Sequence, residues 1–209
     1  MKLISATPSP YARKVRIALE EKGIAFELIT EIPWNEDTTL PEYNPLEKLP
    51  VLIADDGTAV YESSYILEWL ERKYPHPPLL PPDDDGILAA KRYQVLADGI
   101  CDAVVLLFFE RQRGEQSSAP WIARQMRKVE GGTAAIAQSL GDAEFAVRNQ
   151  FGLADIAMGS ALGYMRLRLP EFDFRNRCPN LAWYQDRLEE RPSFKATVPS
   201  PQSIRDAVV

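Results

Sequence analysis

An α/β domain followed by an all-helical one is the fold class this sequence predicts, and three observations predict it. Short β-like segments alternate with helical ones before residue 75; residues 75–86 read PHPPLLPPDDDG; and beyond that run apolar residues recur only at helical spacing. Proline lacks an amide hydrogen and restricts the residue before it, so the run continues neither helix nor sheet. It divides the chain into a first domain over 1–76, a linker over 77–86 and a second domain over 87–209.

The first domain opens with a strand over Lys2 to Ser5. A helix follows from Pro10 to Lys22 with Gly23 as its stop, then a strand from Phe26 to Glu31, which makes a βαβ unit. Val51–Ala54 and Ala59–Tyr61 flank Asp55-Asp56-Gly57, a turn whose glycine accepts positive φ, so they read as an antiparallel hairpin. A helix from Ser63 to Lys73 closes this part. Beyond the linker, helices are predicted over Leu88 to Gln112, Trp121 to Leu140, Leu153 to Leu167 and Leu181 to Glu190, which together form a bundle. The tail from Pro199 to Val209 reads as an extended arm.

Composition excludes several classes of function. The chain has 209 residues, 45% of them apolar, enough for one large domain or two modest ones, and its formal charge of −6 provides no basic face for nucleic acid. No apolar window reaches the roughly 18 residues of a membrane span, and no signal-length run opens the chain, so the reading is a cytosolic protein without a membrane partner. Two cysteines, Cys101 in an apolar helical run and Cys178 beside Pro179, make neither a CxxC pair nor a zinc site, and no metal is expected. The one histidine, His76, lies among prolines and reads as a loop residue rather than a general base.

Three short motifs carry chemistry, each with a plainer structural reading beside it. Ser9 before Pro10 is a serine N-cap with proline at the first helical position. The same hydroxyl, at the positive end of a helix, also suits stabilisation of a thiolate. Leu49-Pro50-Val51 places proline at a strand entrance, where it removes a ladder donor and implies a bend. A cis peptide there would present the Leu49 backbone to an extended peptide ligand. Glu62-Ser63 lies where a strand gives way to a helix; Ser63 reads as a cap, and equally the pair suits an α-amino acid head, with amides for its carboxylate and a glutamate for its ammonium.

In order and register these stretches, SPYARKVRIALEEKGI, NPLEKLPVL and YESS before a helix, resemble the glutathione transferase family, most closely its bacterial serine-type members. The proline-rich linker and Gly152-Leu-Ala-Asp-Ile-Ala are similar to the family's connector and capped core helix, so the resemblance spans essentially the whole chain. It implies a thioredoxin-like first domain in which Pro50 is cis and the Leu49 backbone, entering the strand at Val51, pairs with the cysteinyl unit of glutathione. Glu62 and Ser63 hold the γ-glutamyl end, Lys48 reaches toward the glycyl carboxylate, and Ser9 becomes the partner of the thiol. Glutathione is then the co-substrate, the second substrate is a small electrophile, and the assembly is a homodimer that Asp98 or Asp102 reaches across. Tyr11, Asp102, Leu106 and Tyr164 are the candidate walls of the electrophile pocket. The chain departs from the family at Gly152, where serine or threonine usually opens the core helix; glycine at an N-cap costs only a few tenths of a kcal/mol, with Asp155 facing the helix dipole and Phe151 placed to staple onto Ile156.

Two alternatives stay open: glutathione-dependent disulfide reduction through glutathione's own thiol, and a non-catalytic binding or interaction protein. A cysteine-type site is disfavoured, since the stretch Thr7-Pro8-Ser9-Pro10 has no cysteine within ten residues.

Overall fold

The computed structural model describes residues 1–205, so the last four residues of the predicted arm lie outside the described residues. Among the described residues the chain divides into two compact units, one formed by residues 1–79 together with residues 193–205, the other by residues 80–192.

In the first unit, strands β1 (Lys2–Ser5), β2 (Glu27–Thr30), β3 (Val51–Ile53) and β4 (Ala59–Tyr61) form one mixed sheet in the order β2-β1-β3-β4. β1 and β2 run parallel across helix α1 (Pro10–Glu21), and β3 pairs antiparallel with both β1 and β4. This is the thioredoxin-like arrangement that the resemblance implies. Gly23 and Gly57 carry the positive φ values, 64° and 83°, that stop α1 and turn the hairpin. On one face of the sheet Ile4, Val51 and Leu40 form a dry cluster, with Ile29, Ile53 and Tyr61 against its rim. Strand alternation sends Leu3, Leu52 and Val60, all buried, to the other face. Helix α2 (Ser63–Lys73) packs on β3, β4 and α1.

The ends of α1 and α2 are tied by one buried cation. The Lys22 ammonium pairs with Glu71 at 2.5 Å and donates to the carbonyls of Tyr74 and Pro77 at 2.8 Å each, so all three of its hydrogens have acceptors. Glu71 in turn accepts the Leu79 amide, which anchors the first half of the proline-rich run. His76 is exposed in that run, before a cis proline.

The second unit is helical throughout its regular structure: α3 (Asp84–Gln112), α4 (Ala119–Leu140), α5 (Leu153–Arg168), the single turn α6 (Phe174–Arg177) and α7 (Pro179–Glu189). α5 is buried on every side from Leu153 to Met165 and packs against α3 and α7, as a helix without a polar face must. Its entrance is held by Asp155, which accepts from the amides of Gly152 (2.8 Å) and Ala146 (2.9 Å) and from the Tyr184 hydroxyl (2.5 Å). The glutamate-like half of the capping box is therefore present although Gly152 has no side chain to return the bond. Phe151 sets its ring edge-on to Phe145 and under the Arg191 guanidinium.

The chain then re-enters the first unit through α8 (Pro192–Lys195). The segment behind α8 has no regular structure as far as Arg205, in keeping with an arm, but it is pinned along its length. Ser193 donates to Glu21, the Phe194 carbonyl accepts from Arg13, Ala196 accepts from Arg16, and Arg205 pairs with Asp37.

Candidate functional site

Strand register gathers the three motifs at one end of the strands. Ile4, Val51 and Tyr61 align in a single row across β1, β3 and β4. The chain leaves β1 just beyond that row toward Ser9, enters β3 at it through Pro50, and leaves β4 at it into Glu62. Ser9 thus shares one rim with two motifs that lie about forty to fifty positions further along the sequence, a juxtaposition that strand order dictates.

Ser9 is the N-cap of α1, extended at φ −67° and ψ 118°, and its hydroxyl oxygen accepts the Ala12 amide at 3.2 Å. That bond uses one lone pair and leaves the hydroxyl hydrogen and a second lone pair for another partner. The capping and ligand roles are therefore compatible at one oxygen. The Ser9 side chain is half-buried, at the end of a helix whose partial positive charge favours an anion.

The Leu49–Pro50 peptide is cis. Among the described residues, neither the amide nor the carbonyl of Leu49 enters a backbone hydrogen bond. Asn44 shapes the approach by donating to the Lys48 carbonyl at 2.7 Å while its own oxygen accepts the Leu46 amide. The Lys48 side chain is exposed, and Val51 is fully buried.

At the third motif the structure corrects the expected cap. Glu62, not Ser63, is the N-cap of α2: its carboxylate accepts the amides of Ser64 (3.1 Å) and Tyr65 (3.3 Å), and Ser63 is the first helical residue, 1% exposed. The Ser63 hydroxyl donates to the same carboxylate at 3.1 Å. Glu62 holds φ 70°, a left-handed conformation uncommon outside glycine. A carboxylate fixed by a helix start and a serine, on a backbone bent the costly way, is the type of outlier that clusters at ligand clamps.

The four candidate pocket residues fall on different units. Tyr11 lies on α1, half-buried, with the Lys14 ammonium 5.7 Å from its ring centre. Asp102 and Leu106 lie exposed on α3, whereas Tyr164 on α5 is 5% exposed and its phenol is pushed up to about 12 by burial. One contact at this rim left no trace in the sequence. Ser200 closes on Thr7, whose hydroxyl donates to the Ser200 carbonyl at 3.1 Å, so the segment following α8 braces the loop that carries Ser9. Among the described residues no helix is long and apolar enough to cross a membrane, and no group of three or more His, Cys, Asp or Glu is placed to hold a metal.

Comparison with known proteins bears on the family and the fold. Residues 8–73 match the glutathione S-transferase N-terminal domain and residues 119–186 the glutathione S-transferase C-terminal domain. The uncharacterized GST-like protein YibF of Escherichia coli is 34% identical over 95% of this chain and 98% of its own length. A glutathione S-transferase from Methylobacterium radiotolerans, solved in complex with glutathione sulfonate, is 66% identical, with a TM-score of 0.98 over 100% of this chain and 99% of that one. A second, from Methylobacillus flagellatus with glutathione bound, is 38% identical at a TM-score of 0.91, covering 95% of this chain and 99% of that one. A thioredoxin-like unit joined to a helical one, with these motifs on its rim, defines the class, and the chain belongs to the glutathione S-transferase family.

Proposed function

We propose that this protein is a glutathione transferase that binds glutathione at the rim of its thioredoxin-like domain, residues 1–76, and activates the thiol for attack on a small, largely apolar electrophile. The observation that carries this reading is the meeting of three complementary groups at one end of the strands. The unengaged Leu49 backbone suits the cysteinyl unit, the Glu62–Ser63 helix start suits the γ-glutamyl head, and the Ser9 hydroxyl at the start of α1 suits the sulfur. Lys48, exposed beside Leu49, is placed for the glycyl carboxylate. Two related structures hold glutathione or its sulfonate, which supports the same ligand here.

In this mechanism the Ser9 hydroxyl donates to the sulfur and the α1 dipole favours its charge, so the thiol loses its proton to solvent on binding. Lowering a thiol from about 8.5 by two units raises the thiolate fraction at neutral pH about 25-fold. The accompanying loss of nucleophilicity, at a Brønsted slope of about 0.4 to 0.5, returns about eightfold of that. Ionisation alone thus supplies only about threefold, and the larger share falls to holding the electrophile against the sulfur, where effective molarities reach about 10⁵ M or more.

Calorimetric titration with glutathione at neutral pH, in two buffers of different ionisation heat, tests the reading. Binding accompanied by proton release is expected; binding without it would move the protein to a disulfide-handling or non-catalytic role, and no binding at millimolar glutathione would remove the reading. Ser9→Ala should keep most of the affinity, lose the proton release and lose about threefold in kcat at neutral pH, the net worth of ionisation. It also removes a helix cap worth about 1 kcal/mol. Ser9→Gly, which costs the cap only a few tenths of a kcal/mol, separates the two effects, because an equal fall in kcat assigns the loss to the hydroxyl.

A further inference from the structure

Within the first unit, Ser9 stands between Pro8 and Pro10, and Ser200 between Pro199 and Pro201. Where the two stretches meet, the Thr7 hydroxyl donates to the Ser200 carbonyl at 3.1 Å and the Thr7 carbonyl accepts the Ser200 amide at 3.4 Å, across 193 positions of sequence. The loop so held has little freedom of its own. Pro8 fixes its own φ, Pro10 confines Ser9 to the extended backbone observed at φ −67° and ψ 118°, and the Ser9 amide donates to the Ala6 carbonyl at 3.1 Å. With those angles set, a change of direction at Thr7 passes to the Ser9 hydroxyl instead of being absorbed between them. The acceptor side is held as firmly. Beyond Pro201, Gln202 donates to the Glu31 carbonyl at 3.3 Å, the Arg205 amide donates to the Asn35 side chain at 3.0 Å, and the Arg205 guanidinium pairs with Asp37 at 2.6 Å.

Attachment of the arm does not require the Thr7 hydroxyl. Thr7 is half-buried and Ser200 exposed, so water is available to both, and the arm is already fixed by Phe194 on one side and Arg205 on the other. What the bond adds is a fixed position for Ser9. A hydrogen bond weakens steeply as its donor turns away from the acceptor, so a displacement too small to disturb the fold registers at a sulfur held by that hydroxyl. We propose that Thr7 is a positioning residue of the glutathione site: held against Ser200, it sets where the Ser9 hydroxyl stands, and through it the C-terminal arm sets the acidity of the bound thiol. The effect on the thiol rests on the transferase reading above; the placement of Ser9 by Thr7 does not.

Titration of the thiolate absorbance of bound glutathione against pH tests the proposal in the full-length protein. Turnover is a poor gauge here, because the nucleophilicity regained offsets most of the ionisation lost. A hydrogen bond to a charged group is worth about one to two pKa units. Ser9→Ala removes that bond and marks the ceiling, and Thr7→Val, which keeps the shape and loses the donor, should raise the thiol by about one unit. Thr7→Ser, which keeps the hydroxyl, should titrate as the wild type does, and Thr7→Ala replaces Thr7→Val if valine prevents folding. A thiol unmoved by loss of the Thr7 hydroxyl, or moved as far by Thr7→Ser, would overturn the proposal. Should glutathione fail to bind the wild type, or titrate there like the free thiol, the transferase reading falls and the placement is read at the Ala12 amide, whose acceptor is the Ser9 oxygen. Faster deuterium exchange of that amide in Thr7→Val than in Thr7→Ser is then expected, and equal exchange overturns the placement as well.

Discussion

Asp155 shows how one side chain organises the entrance of a helix at an electrostatic cost. Burial raises its carboxyl above the ordinary carboxylate value, and the bonds from Tyr184, Ala146 and Gly152 offset that rise only in part. Burial likewise holds the Tyr184 phenol well above its usual value, so it remains a donor at neutral pH. Removing that donor with Tyr184→Phe should cost about 1.5–3 kcal/mol at neutral pH, where the carboxylate is charged. With the folded-state value of Asp155 above its unfolded one, the folded protein binds the extra proton as pH falls through that window, and the contribution of Asp155 to stability improves on acidification. The variant raises the folded value further, so its deficit should shrink as the medium is acidified and the carboxyl becomes neutral. Denaturant unfolding of both proteins at neutral and mildly acidic pH measures this; a deficit that stays constant would show that Asp155 is not the group involved.

At the scale of the element, legibility followed length and punctuation. α2 runs from Ser63 to Lys73 as the apolar spacing requires, and α5 opens at Leu153 behind Gly152 as its motif requires. The single turns α6 and α8 are too short to carry a period, and they escaped the reading for that reason. The cap of α2 was misassigned to Ser63 because serine is the common N-cap and glutamate at φ 70° is not; no local propensity announces a left-handed glutamate. Packing between elements was equally silent, and the paired glycines of α4 show it. A Cβ on Gly132 would lie 2.7 Å from Ile100 Cγ1 on α3, whereas one on Gly131 meets nothing within 4 Å. Gly131→Ala should therefore stabilise by about 1 kcal/mol through helix propensity. Gly132→Ala sets the same gain against an overpacking cost of about 1–3 kcal/mol, for a net loss of about 1. Thermal unfolding of the pair should give shifts of opposite sign, and shifts of the same sign would contradict the close α3–α4 approach.

For the whole molecule, the feature that sequence reading did not anticipate is that the thioredoxin-like unit is completed by the far end of the described chain. Nothing in Ser193–Thr197 marks its destination, because the partners that hold it stand at Arg13, Arg16 and Glu21, and contacts at such separation leave no periodic or local signal. Arg13 is 2% exposed on α1, with its guanidinium over the Phe194 ring at 5.2 Å and donating to the Phe194 carbonyl across 181 residues of sequence. A buried arginine on an N-terminal helix reads from sequence alone as a solvated face; the returning segment makes it an interior residue. Phe194 is itself 0% exposed, so it supplies the apolar contact that holds this segment against α1, and the bond between Thr7 and Ser200 then fixes the loop before Ser9. Phe194→Ala should accordingly behave as a core deletion, costing about 3–5 kcal/mol despite its place near the end of the chain. Val198→Ala, at a site 60% exposed four residues on, should change stability by no more than about 0.5 kcal/mol. If the two variants unfold alike, the segment is an appendage rather than part of the unit; if Phe194→Ala alone is destabilised and also shows weakened glutathione binding, the returning segment is a structural member of the wall on which Ser9 stands.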